Sequence, residues 1–193
     1  MRSEFIERDL YNRVFQYMQY DNVLAMRVAL ETGLRIDDVM SLETQNLTGN
    51  TIRCVAKKTG KPCTKVIPSN LAKQLRNNSA NGWIFPSPSN PNNHKTRQSV
   101  WKDIRKACDL SGIPQHVTPH SSRKTYAVDV FREEGITSAQ RKLQHNRIET
   151  TMLYAFSDIM TGRGKQSTFS EGDIEKLAEY IADKIIEYLE ARL

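Results

Sequence analysis

Thr118-Pro119-His120-Ser121-Ser122-Arg123-Lys124 is the segment around which this chain is organised. A threonine followed by proline has the pattern of a helix N-cap with proline in the first turn, where a missing N–H costs nothing. On that helix His120 and Arg123 stand three residues apart and share a face. The free N–H groups of a helix start already favour an anion, so an imidazole and a guanidinium aimed together from one make a phosphate site. The helix buries Tyr126, Ala127, Val130 and Phe131 and stops at Gly135. Beyond it come Leu143-Gln144-His145-Asn146 and then Thr150-Thr151-Met152-Leu153-Tyr154.

Outward from that segment the periodicity is mostly helical. Ile6, Leu10, Val14, Phe15 and Met18 make one stripe over residues 4–20, and a second helix from Asn22 to Thr32 is stopped by Gly33. A short helix carrying Asp38, Val39 and Leu42 follows, with Arg35 at the joint. A surface pair of Arg35 with Asp37 or Asp38 is one reading of that joint. Residues 51–56 and 64–68 alternate and are β-branched around Thr59-Gly60-Lys61-Pro62, which predicts two antiparallel strands. Lys57, Lys58, Lys61 and Lys65 crowd this one hairpin, a patch suited to a phosphate backbone.

Ser69 caps a short helix through Arg76. Residues 77–93 form a loop rich in Pro, Ser and Asn, anchored by Trp83-Ile84-Phe85. The helix from Thr96 to about Leu110 has Val100, Trp101, Ile104 and Ala107 inward. Lys95, Arg97, Lys102, Arg105 and Lys106 point outward, a solvated face that also suits DNA phosphates. Residues 161–167 have linker composition, and the last helix, Asp173–Leu193, carries Ile174, Leu177, Ile181, Ile185 and Leu189 on one stripe. The expected fold class is α+β, mostly helical with a small antiparallel sheet.

With 28 Lys+Arg against 22 Asp+Glu in 193 residues, the net charge of +6 is compatible with a polyanionic partner. No apolar run approaches the roughly 20 residues of a membrane span, and the N-terminus lacks the apolar core of a secretory signal. Cys54, Cys63 and Cys108 have neither C-x-x-C spacing nor a nearby His pair. They read as reduced thiols of a cytoplasmic protein, with no structural zinc. No Walker loop, carboxylate cluster or metal-ligand spacing is present, so no cofactor is expected.

His120-x-x-Arg123, then His145 and Tyr154 nine residues later, resemble the second half of the tyrosine recombinase (phage integrase) catalytic signature. Thr32-Gly33-Leu34-Arg35-Ile36 and Lys57-Lys58-Thr59-Gly60 resemble its first half. The resemblance implies a catalytic set of Arg35, Lys58, His120, Arg123, His145 and Tyr154. Lys57 is the adjacent rival of Lys58 for the mobile hairpin lysine. Asp38 stands where the family usually has Glu and would buttress the Arg35 guanidinium. Lys124 stands where a second His is common, and Gln144 replaces the usual glycine before the second His. Lys57, Lys61, Lys65, Lys95, Arg97 and Lys124 are the candidate DNA contacts.

What the resemblance implies is a site-specific DNA recombinase that cleaves and rejoins double-stranded DNA through a 3′-phosphotyrosyl link at Tyr154, without metal or ATP. A type IB topoisomerase-like or resolving enzyme uses the same residues. From another class, a DNA-binding regulatory module could keep the fold without catalysis. The expected organisation is a catalytic domain over residues 1–160 and a linker with C-terminal helix over 161–193, the family's N-terminal core-binding domain being absent. The C-terminal helix packs on its own domain or docks on a neighbouring protomer, as in tetramers assembled on DNA. The expected location is the cytoplasm, associated with the nucleoid.

Overall fold

The computed structural model describes residues 3–90 and 92–144, together with Gly172, Glu175, Ala178, Glu179, Ala182 and Asp183. The chain divides into two compact units, residues 1–126 and 127–193. Among the described residues the elements run α1 (Arg8–Phe15), α2 (Tyr20–Thr32), α3 (Ile36–Met40), β1 (Leu47–Thr48), β2 (Thr51–Val55) and β3 (Pro62–Val66). They continue as α4 (Ser69–Asn78), α5 (Arg97–Ser111), α6 (Pro119–Glu134) and α7 (Ile136–Leu143). This is the α+β class that the periodicity predicts.

The first unit is built round α2, which buries Asn22, Val23, Leu24, Ala25, Met26, Val28, Ala29, Leu30 and Thr32. A helix apolar nearly all round belongs at the centre of a core, and α2 packs with α3, α4 and α5. Its start is held by Asp103 of α5, whose carboxylate accepts the Gln19 N–H at 2.9 Å and the Asn22 amide at 2.6 Å. At its end Gly33 takes the left-handed conformation, φ 67°, and donates to the Ala29 carbonyl at 2.9 Å. Arg35 therefore enters α3 from a fixed turn, three residues beyond the end of a buried helix.

The three strands form an antiparallel sheet in the order β1-β2-β3. Strand β3 begins at Pro62, two residues before the predicted start. Pro62 faces Val55 at a position that gives no hydrogen bond to the ladder, so its missing N–H is not needed there. The loop anchor behaves as predicted: Ile84 and Phe85 are buried, and the Ile84 N–H donates to the Leu42 carbonyl at 2.9 Å.

Three sequence expectations give way to tertiary contacts. The helix predicted over 4–20 is confined to α1 because the chain turns after Phe15 and residues 3–7 are not helical. There the Glu4 N–H donates to the His116 carbonyl at 3.0 Å, and the Ile6 carbonyl accepts the Thr125 hydroxyl at 2.8 Å. Trp101 is half exposed rather than inward, because the buried stripe of α5 runs through Val100, Ile104, Ala107 and Cys108. Lys95 is buried rather than outward: its ammonium meets Asp21 at 2.6 Å and Gln19 at 3.3 Å. Strand β1 and helix α7 were not predicted.

In the second unit Ala127, Val128, Val130 and Phe131 of α6 are buried, as are Ala139 and Leu143 of α7, and Gly135 breaks the chain between them at φ 81°. His145, Tyr154, the predicted linker and the boundary expected at residue 160 lie outside the described residues. Of the predicted last helix, Glu175, Ala178, Glu179, Ala182 and Asp183 are helical and exposed. No helix among the described residues is long and apolar enough to cross a membrane.

Burial predicts unequal costs along α5. Replacing the fully buried Ile104 with alanine should lower stability by about 2–5 kcal/mol in urea denaturation. Trp101→Ala should cost no more than about 1 kcal/mol. Equal losses would contradict the observed face of α5.

Candidate active site

Thr118 caps α6 as its sequence predicts. Its hydroxyl accepts the His120 N–H at 3.2 Å, and the Ser121 hydroxyl accepts the Thr118 N–H at 3.1 Å in return. This reciprocal lock sets the first turn, from which His120 and Arg123 project. Arg123 is 5% exposed, and its guanidinium donates to the Gly33 carbonyl. The start of α6 is thereby joined to the turn that ends α2.

The result is a cleft of about 300 Å³ whose lining includes Arg35, Lys58, His120 and Arg123, with Lys57, Arg97, Asp37 and Asp38. Four of the six predicted catalytic residues, from three separate stretches of sequence, therefore meet round one space. His145 and Tyr154 lie outside the described residues. Five cationic side chains against two carboxylates favour an anion in this cleft. No hydrogen bond or ion pair to another described residue occupies the Arg35 guanidinium.

The hairpin lysines reach the cleft through an acceptor that the sequence reading assigned differently. Asp38, expected to hold the Arg35 guanidinium, is buried and accepts the backbone N–H of Lys57 at 2.9 Å. It thus ties α3 to the hairpin turn, and its Oδ2 makes no hydrogen bond to a described residue. The signal was present in the spacing Arg35-x-x-Asp38, but the partner was not. Lys57 and Lys58 both line the cleft, and Lys58 adds to the positive field at His120.

His120 is exposed at the rim of the cleft. Desolvation, joined by the positive charges of Arg123, Lys124, Arg35 and Lys58, lowers its pKa from 6.5 to about 4. The imidazole is neutral at neutral pH and able to accept a proton.

The candidate DNA contacts separate into two groups. Lys57 and Arg97 are exposed and line the cleft, and Lys61 is exposed on the hairpin. Three others are engaged within the fold. Lys65 lies over the Tyr126 ring at 5.3 Å, Lys124 donates to the Ser3 carbonyl, and Lys95 meets Asp21 in the buried pair already described. Among the described residues no group of three or more His, Cys, Asp or Glu side chains is placed to hold a metal ion.

The α+β fold thus presents a cationic cleft lined by three arginines, two hairpin lysines and a helix-start histidine. Residues 4–159 match the phage integrase family, and the chain belongs to it. It is 31% identical over 136 residues to the integrase of Escherichia phage P2, covering 70% of this chain and 37% of that protein. It is 29% identical over 146 residues to tyrosine recombinase XerD of Listeria monocytogenes serotype 4b (strain F2365), covering 67% and 48%. The chain thus spans less than half the length of these relatives. A lambda integrase dimer bound to a COC′ core site superposes with a TM-score of 0.68 at 18% identity, covering 80% of this chain and 59% of that one. The catalytic domain of bacteriophage HP1 integrase gives 0.63 at 22% identity, covering 81% and 89%. The integrase catalytic-domain fold implied by the sequence motifs is the fold observed.

The lowered His120 pKa has a stability consequence. Between pH 6.5 and about 4 the unfolded chain binds a proton that the folded chain resists, so folded stability falls as pH drops through that window. His120→Gln removes this contribution. Its urea midpoint should therefore decline less than that of the unaltered chain on going from about pH 7 to about pH 5. Identical declines would show that His120 does not titrate as its surroundings dictate.

Proposed function

We propose that this chain is the catalytic domain of a site-specific DNA recombinase that cleaves and rejoins double-stranded DNA through a 3′-phosphotyrosyl intermediate. The observation that carries the proposal is the convergence of Arg35, Lys58, His120 and Arg123 on one cleft with an excess of positive charge. In this reading the scissile phosphodiester sits against the two guanidiniums. Neither gives up its proton, and both stabilise the charge that builds on the equatorial oxygens as phosphorus becomes pentacoordinate.

Tyr154 supplies the nucleophile. A phenol has a pKa of about 10, so its proton must leave as it attacks. Neutral His120 accepts or relays that proton, and Lys58 donates one to the departing 5′ oxygen. His145 hydrogen-bonds the same phosphate. The tyrosyl ester retains the energy of the phosphodiester, so attack by a 5′ hydroxyl reverses the step and reseals the strand without ATP.

Lys57, Lys61 and Arg97 are the exposed cations this reading assigns to neighbouring DNA phosphates. Self-association on DNA through the C-terminal helix, and a cytoplasmic, DNA-associated location, complete it. The dimeric lambda integrase complex and the exposed helical Glu175, Ala178, Glu179, Ala182 and Asp183 support the first of these.

Covalent capture on nicked suicide duplexes from the flanks of the chain's own coding locus tests the proposal. A protein–DNA adduct should form, vanish in Tyr154→Phe, and form about 10²–10³ more slowly in Arg35→Ala or Arg123→Ala. Specific binding with no Tyr154-dependent adduct at any site would instead favour a regulatory DNA-binding module. Adducts that relax supercoils but never join partnered sites would favour a topoisomerase.

Salt dependence distinguishes the two groups of cations. Arg97→Ala should reduce the slope of log affinity against log salt by about 1. Lys95→Ala should leave that slope unchanged while lowering stability, because its charge is paired with Asp21 inside the fold. Equal changes in slope would contradict the assignment.

A further inference from the structure

Cys54 and Cys63 are direct partners across the β2–β3 ladder. The Ala56 N–H donates to Lys61 and the Ile67 N–H to Asn50, so the alternation of the ladder makes Cys54 and Cys63 a hydrogen-bonded pair. Such pairs hold their Cα atoms about 5.5 Å apart. Disulfides span roughly 4.4–6.8 Å between Cα atoms, most often about 5.5–6 Å. Opposite residues in a ladder project from the same face, so the two thiols stand side by side. Cys63 is buried and Cys54 half-buried, so the pair is sheltered without being sealed.

We propose that Cys54 and Cys63 are an oxidisable dithiol that closes to an intrachain disulfide under peroxide, at the base of the hairpin that carries Lys57 and Lys58. The Cys54 hydrogen bond, with the charge of Lys65, draws the Cys63 thiol down to about 7 and so supplies the thiolate. The Cys63 sulfur attacks one peroxide oxygen. An S–O bond forms, the O–O bond breaks, and hydroxide leaves with the electron pair. The Cys54 sulfur then attacks the sulfenic sulfur, the S–S bond forms, and the S–O bond breaks. The departing hydroxide takes the Cys54 proton as water. Two thiols and one hydrogen peroxide become one disulfide and two waters.

The bond encloses residues 55–62 in one covalent ring and ties both strands beneath the turn, limiting how far the Lys58 backbone can travel. The pair belongs to the hairpin whether or not the chain cleaves DNA. Cys108, on α5, is the internal control. Burial pushes its thiol up to about 11, and it has no such partner across a ladder.

The test treats the whole chain with hydrogen peroxide, alkylates the remaining thiols under denaturing conditions and maps the tryptic peptides without reduction. The three free thiols should fall to one, Cys108. Residues 54–57 should appear linked to residues 59–65, since trypsin does not cut between Lys61 and Pro62. The linkage should form faster in buffer than in guanidinium chloride, where the ladder is gone. Separate sulfinic acids at Cys54 and Cys63, a bond between two chains, or an equal rate in denaturant would overturn the proposal.

Discussion

The hydrogen bond from the buried Arg123 guanidinium to the Gly33 carbonyl is the constraint on which the site depends. A charged group at 5% exposure is costly to desolvate unless its protons are accepted, and the accepting carbonyl lies in the left-handed turn that ends α2. Only Leu34 separates Gly33 from Arg35. One contact therefore fixes the position of Arg123 against the segment that presents Arg35, although 87 residues stand between them (123 − 35 − 1). Because α2 is buried nearly all round, the turn has little freedom to drift, and the Arg123 guanidinium and the backbone that presents Arg35 inherit the rigidity of the core.

The hairpin is held differently. Its link to the cleft is the Asp38 carboxylate accepting the Lys57 N–H, a bond to backbone rather than to the lysine ammonium. The turn is anchored at one point while the Lys58 side chain stays exposed and movable. A general acid has to reach the leaving oxygen only as the bond breaks, so a tethered backbone with a free side chain suits the proposed role better than a buried lysine would. The asymmetry between a clamped Arg123 and a reachable Lys58 follows from which atoms are hydrogen-bonded.

Much of this was legible in the sequence because it depends on local chemistry. Thr118-Pro119 announced a helix start, Gly33 and Gly135 announced helix stops, and the alternation of residues 51–56 announced a strand. The four described catalytic candidates all reached the cleft. What escaped depends on partners far along the chain. Lys95 looked like one more outward cation until Asp21 came within 2.6 Å of it, and Lys65 until Tyr126 lay beneath it. Residues 4–7 carried a helical stripe that the pairing of Glu4 with His116 overrode. Periodicity ranks the faces of a helix; it does not say which distant carboxylate or carbonyl will claim a long side chain.

The same cations explain why the histidine is suited to its proposed task only when substrate arrives. In the empty cleft desolvation and the charges of Arg123, Lys124, Arg35 and Lys58 hold His120 near pKa 4, a weak base. A bound phosphodiester places negative charge against the two arginines and Lys58 and offsets part of the field that opposes imidazolium. In the proposed reaction the basicity of His120 would therefore rise on substrate binding, when a proton must be taken from the nucleophile. On that reading the arginines assigned to the phosphate would also set the timing of the base.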